Sequence, residues 1–148
     1  MMVLLPDGQK ASPDPILDIL KNAKAVAVVG ISSKPFRASF GVSQYLLDAG
    51  YTIFPVNPNE SEVHGLRCYA RVEDIPEAVD IVDVFRRAED VPPVVDSAIA
   101  KSAKVLWLQE GIVHQIAGEK ARAAGLTVVM DACMRSEHRR RMRQLLVT

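Results

Sequence analysis

Five apolar runs punctuate the chain: Ala25–Val29, Tyr51–Val56, Val79–Phe85, Lys104–Leu108 and Leu126–Met130. They are short, rich in β-branched residues, and mostly free of the polar alternation that marks a strand with one wet face. Each therefore reads as a strand buried on both sides. Between them the period changes. Val42, Tyr45, Leu46 and Ala49 recur at helical spacing and Gly50 follows as a stop, which predicts a helix over Ser39–Ala49. The neighbourhood of Pro92, Val95 and Ile99 predicts another, and Val113–Ala124 a third, closed by Gly125. Pro15–Asn22 reads as a short helix with Asp14 as its N-cap, Val72–Pro76 as a single helical turn, and the tail from Ser136 as a final helix. Gly65–Ala70 has no decisive pattern.

Strands alternating with helices in this way predict an α/β domain: a five-stranded parallel sheet, doubly wound, with helices on both faces. With right-handed crossovers the expected strand order, counting in chain order, is 3-2-1-4-5. The loops after the strands then gather at the sheet's C-terminal edge, where such folds bind ligands. Residues 1–13, with Pro6, Gly8, Ser12 and Pro13, read as a loose arm, and residues 14–148 as one domain.

Charge narrows the function classes. Eighteen basic and eighteen acidic residues balance, so no global field favours nucleic acid or membrane, and any basic site is local. The run His138-Arg139-Arg140-Arg141-Met142-Arg143 lacks interleaved aromatics and reads as the end of a helix rather than a nucleic-acid surface. The opening residues carry no basic stretch ahead of an apolar one, and no apolar run approaches a spanning length. Cys68 and Cys133 then read as free thiols in a cytoplasmic protein. No Cys and His cluster has zinc spacing, and His64, His114 and His138 are scattered, which favours packing or surface roles over catalysis.

The densest chemistry lies where the first strand ends. Gly30-Ile31-Ser32-Ser33-Lys34-Pro35 places a glycine, two hydroxyls and a lysine between a buried strand and an amphipathic helix, the layout of a phosphate-binding turn. Neither G-x-G-x-x-G nor G-x-x-x-x-G-K-[ST] is present. The second strand ends in Val56-Asn57-Pro58, without the acidic residue that holds a nicotinamide cofactor's ribose. Both common nucleotide readings lose ground. Lys34, Arg37, Arg86 and Arg87 are the candidate phosphate cations, although Arg87 also reads as solvated charge paired with Glu89 or Asp90.

Four blocks together carry a resemblance: Val29–Pro35, Gly50–Pro58, Val82–Arg87 and Trp107–Ile112. Over roughly Ile16–Arg139 the chain resembles the small stand-alone CoA-binding proteins related to the N-terminal domain of the succinyl-CoA synthetase alpha subunit. The resemblance implies a Rossmann-like fold that binds coenzyme A or an acyl-CoA. It implies that Gly30, Ser32, Ser33 and Lys34 hold phosphate, that Asn57 and Pro58 shape the adenosine pocket, and that Phe85 and Arg86 flank it. Gln109, at the end of the fourth strand, either contacts pantetheine or only turns the chain. The synthetase also uses a phosphohistidine loop and a partner subunit, for which this chain has no region, so a non-catalytic binding module is expected. Two other readings stay open. One is an enzyme, a transferase or an NADP-type reductase, using the same site. The other is a regulatory module whose association with a protein partner responds to CoA.

Overall fold

The computed structural model describes residues 1–147. In chain order the elements are β1 (Met2–Leu4), α1 (Pro15–Asn22), β2 (Ala25–Val29), α2 (Ala38–Asp48), β3 (Thr52–Val56), β4 (Glu62–Val63) and β5 (Leu66–Arg67). They continue with β6 (Ile81–Val84), α3 (Val91–Ala100), β7 (Val105–Leu108), α4 (Gln115–Ala123), β8 (Thr127–Met130), α5 (Met134–Arg140) and α6 (Met142–Leu146). All five apolar runs form strands of one sheet. Asp14 caps α1 as expected, its carboxylate accepting from the Leu17 amide at 3.2 Å. The Arg141 guanidinium bonded to it holds this carboxyl below its ordinary pKa.

The sheet has six strands rather than five, in the order β1-β8-β7-β6-β2-β3. Among the five predicted strands the order is thus 2-1-3-4-5, not 3-2-1-4-5. The reason lies in β3. Pro55 has no N–H to donate, which suits an edge and not the centre of a sheet. The outer side of β3 is instead met by a single bridge, in which the Tyr69 amide donates to the Pro55 carbonyl at 2.9 Å. β6 therefore pairs with the far side of β2, Val28 standing beside Asp83.

The sixth strand comes from the stretch read as a loose arm. Met2–Leu4 pairs antiparallel with β8, making the sheet mixed. Three residues are too few for any period to show, and their strand character comes from the partner. The undecided segment becomes part of a small hairpin, β4 and β5, turned by His64 and Gly65 at φ 56° and 74°.

Side chains alternate across the sheet. Ala27, Val82, Leu106 and Val128 pack under α3 and α4, while Val28, Ile81, Trp107 and Val129 pack under α1, α2 and α5. Every residue of β6, β7 and β8 is buried, which accounts for runs in the sequence that are apolar but for Asp83 and Thr127. The largest of them, Trp107, donates its indole N–H to the Ala132 carbonyl at 2.8 Å. No helix among the described residues is long and apolar enough to cross a membrane.

Candidate functional site

β2 is followed by Gly30 at φ 85°, and a Cβ there would lie 2.2 Å from the Phe85 carbonyl oxygen. Only glycine fits a backbone approach of that kind. Three strand ends are laced together at this point. The Gly30 amide donates to Val56 O and the Phe85 amide to Val29 O, both at 2.8 Å, and Asn57 Nδ2 donates to Ile31 O at 2.8 Å. Ile31 is fully buried and turns the chain into the core. Ser32 and Ser33 then rise to the surface. The Ser32 amide donates to Ser39 Oγ at 3.0 Å, and the Lys34 amide to Ser32 Oγ at 3.1 Å.

α2 begins directly after this turn, with no side chain capping it and no acidic residue in its first turn. Its first two residues, Ala38 and Ser39, line a cleft of about 820 Å³. The other walls are Gly30, Ser32, Ser33, Lys34 and Arg37 from the turn, Asn57, Asn59 and Glu60 from the loop after β3, Phe85, Arg86 and Arg87 after β6, and Ile112 after β7. From β2 the chain passes to β3 on one side, while β6 flanks the other, so the cleft sits at the reversal of strand order. Open α/β sheets bind ligands at that point, outside the carboxyl ends of the strands.

Residues 24–139 match the family model described as the CoA binding domain. The chain belongs to that family. A similar protein is the uncharacterised YneT of Bacillus subtilis, 40% identical over 130 residues, covering 88% of this chain and 96% of that one. The ADP-forming acetate–CoA ligase I subunit alpha of Pyrococcus furiosus is 35% identical over 96 residues, covering 61% of this chain but 21% of the subunit. Among solved structures, a hypothetical protein from Pyrococcus horikoshii superposes with a TM-score of 0.84 at 40% identity, covering 89% of this chain and 97% of that one. The match thus spans nearly all of the two small relatives and about a fifth of the ligase subunit.

Eight of the ten residues singled out from the sequence meet in the cleft: Gly30, Ser32, Ser33, Lys34, Arg37, Asn57, Phe85 and Arg86. Pro58 is exposed in the same loop but does not line it. Gln109 is buried away from it, and its Oε1 accepts from the Met134 amide at 3.2 Å. Arg87 reaches the rim with its guanidinium already engaged, at 3.2 Å from Glu89 and 3.0 Å from Asp90. Among the described residues Lys34, Arg37 and Arg86 form no ion pair, while the Arg86 Nε lies 3.2 Å from the point a Gly30 Cβ would occupy. Three free cations therefore surround one glycine turn.

Sequence reasoning missed Glu60. Its carboxylate accepts from the Ser33 amide at 2.6 Å and from the Ser33 hydroxyl at 3.0 Å. An anion of the chain itself thus occupies donors that suit a phosphate. No local pattern around Glu60 announces this, because only the pairing of β3 beside β2 brings its loop over the turn. Asn59 enters the same way, its amide donating to Asn57 Oδ1 at 2.9 Å.

The histidines have other partners. His114 accepts from the Ala117 amide at the start of α4, His138 bonds Tyr45, and His64 bonds Ser43 at 2.8 Å, docking the β4–β5 hairpin on α2. Burial holds both His64 and His138 below the ordinary imidazole pKa. Cys68 lies 3.5 Å from the Asn57 carbonyl, and burial pushes its thiol up. Among the described residues no three His, Cys, Asp or Glu side chains form a group that could hold a metal.

Proposed function

We propose that the chain binds coenzyme A or an acyl-CoA in the β2/β6 cleft and acts as a non-catalytic binding or regulatory module. The observation that carries this reading is the meeting of Lys34, Arg37 and Arg86, all without ion pairs among the described residues, at a glycine turn whose donors are held by a carboxylate. CoA brings a pyrophosphate and a 3′-phosphate, and charge-assisted bonds from such cations are the strong ones in phosphate recognition. In this reading Ser32, Ser33 and the first amides of α2 take a phosphate, Glu60 swings aside, and Asn57 shapes the adenosine end, with Pro58 outside the cleft wall. Phe85 and Arg86 flank the nucleotide. The family membership favours CoA over other phosphorylated ligands, and β3 ends in Val56-Asn57-Pro58, without the acidic residue that anchors a nicotinamide cofactor's ribose at a strand end. The ligase relatives join this domain to much more chain, since the match covers about a fifth of the Pyrococcus furiosus subunit. Their ligase chemistry is not carried over to this chain.

Isothermal titration with CoA, acetyl-CoA, NADPH and ATP tests the reading. CoA or its acetyl ester binds most tightly, and Lys34→Ala and Arg86→Ala each weaken it. Preference for NADPH or ATP would overturn the ligand, and turnover of an acyl-CoA by the isolated protein would overturn the non-catalytic role.

A further inference from the structure

One cluster at the same edge of the sheet takes no part in phosphate binding. The segment after β8 folds over the loop after β7: the Asp131 amide donates to Ile112 O at 3.1 Å, the Gly111 amide to Asp131 Oδ1 at 2.7 Å, and the Met134 amide to Gln109 Oε1 at 3.2 Å. Ile112 is a wall of the cleft. Cys133 lies within this segment, partly exposed and unbridged, and packs in the same apolar cluster as Phe85, another cleft wall.

Beneath it is an unusual group. Asp83 stands beside Trp107 across β6 and β7, and the Trp107 indole holds the carbonyl of Ala132, the residue before Cys133. Asp83 is fully buried, and neither of its carboxylate oxygens has a hydrogen-bond partner among the described residues. A buried polar group left so costs stability and marks a place where a partner is missing. Burial first, and the neighbouring Cys133 sulfur second, hold this carboxyl well above its ordinary pKa. For Cys133 itself partial burial acts upward. Hydrogen bonds from the Ser136 amide and hydroxyl, the Gln109 side chain and the Arg135 amide outweigh it and hold the thiol below its ordinary value.

We propose that Cys133, in the segment packed on the loop that carries Ile112 and set against the unpartnered Asp83, is a thiol–disulfide exchange site for the thiol end of coenzyme A. The inference rests on the reading that CoA occupies the cleft. The electrophile is CoA disulfide. The Cys133 thiolate attacks one of its two sulfurs, a bond forms between Cys133 Sγ and that sulfur, and the CoA–CoA disulfide breaks. The second CoA leaves as a thiolate and takes up a proton. Cys133 is oxidised and the departing CoA reduced, so the electrons balance. Cys68, with its thiol raised by burial and turned to a carbonyl, does not compete.

The test incubates the reduced full chain with CoA disulfide or, at equal concentration, glutathione disulfide, and reads intact mass over time. One CoA adds per chain, at a mass gain of CoA less two hydrogens. The adduct is absent in Cys133→Ser and retained in Cys68→Ser. CoA disulfide reacts at least roughly tenfold faster than glutathione disulfide, because a bound ligand presents its sulfur at high effective concentration. Desulfo-CoA, which fills the cleft without a thiol, slows the reaction. Equal rates for the two disulfides, or labelling at Cys68, would overturn the inference. Titration of Cys133→Ser with desulfo-CoA separates the two levels: binding without any adduct on the wild-type chain removes the exchange site and keeps the CoA reading. Absence of desulfo-CoA binding to both chains overturns the CoA reading, and the exchange site with it.

Discussion

The loops after β2 and after β7 leave the same edge of one sheet, and both turn through a glycine at φ 85°, Gly30 and Gly111. The first supplies the largest share of an open polar cleft, and the second only Ile112. After β7 the polar groups are taken up by the segment after β8: the Gly111 amide binds Asp131 at the surface, and the buried Gln109 side chain binds the Met134 amide. After β2 the Ser33 amide and hydroxyl are held by Glu60, a side chain that sits in the cleft itself and can be displaced, and the nearby cations have no partner among the described residues. A binding site is set less by having polar groups than by leaving their partners exchangeable.

The largest test of this contrast replaces both glycines. Gly30→Ala places a Cβ 2.2 Å from a backbone carbonyl at a positive φ. Gly111→Ala has the same φ sign with nothing within 4 Å. The first variant loses about 3 kcal/mol in denaturant unfolding and loses CoA binding. The second loses about 1 kcal/mol from its left-handed backbone alone and keeps its affinity. Equal losses in the two variants would mean that the approach of Gly30 to Phe85 is of no special weight.

Charge supplies the next comparison. Lys34→Ala and Arg86→Ala each weaken CoA binding by about tenfold, as expected when a cation–phosphate bond is removed. Arg87→Ala changes it by less than about twofold, because that guanidinium is exposed and already paired with Glu89 and Asp90. Calorimetry at two salt concentrations reads both effects, and the Lys34 and Arg86 losses shrink as salt rises. A large effect at Arg87 would show that its local pairs give way to the ligand.

Gln109→Ala carries the contrast to the other loop. It removes the acceptor of the buried Met134 amide and costs about 1–2 kcal/mol of stability. Affinity for CoA stays within about twofold, a small change on the scale of a lost contact. A marked loss of affinity in a variant that still folds would return this side chain to the ligand, in the pantetheine role its place at a strand end suggested.

The two loops also differ in what the residues disclose before the chain is folded. Strands buried on both faces leave runs that are largely apolar, so all five parallel strands are legible, and Gly30-Ile31-Ser32-Ser33-Lys34 is legible because glycine, hydroxyls and a cation meet at a strand end. Strand order is not, because right-handed crossovers are compatible with either arrangement of the first three strands. Pro55 was the local sign that β3 lies at an edge. β6 stands directly beside β2 only in the observed order, β1 exists only through its pairing with β8, and Glu60 and Ile112 carry no local sign that they line the cleft. Gln109 reads from the sequence as a loop residue at a ligand edge, and its burial against α5 depends on the packing of a segment 25 residues away.

The finest test addresses the carboxylate in the turn. Glu60→Gln keeps the size of the side chain and removes the charge that holds the Ser33 amide and hydroxyl. If Glu60 stands where a phosphate oxygen goes, binding of CoA must break these bonds and bring an anion beside a carboxylate. Removing the charge then tightens CoA by roughly threefold at low salt, the scale of an exposed charge interaction. The gap between variant and wild type narrows at high salt, where that repulsion is screened. Without ligand, the Ser33 amide exchanges its hydrogen faster in the variant, since a neutral amide oxygen is a weaker acceptor than a carboxylate. Weaker binding by the variant would reverse the assignment, making Glu60 an acceptor for a ligand hydroxyl or amide, and the phosphate would then lie nearer Lys34 and the first turn of α2.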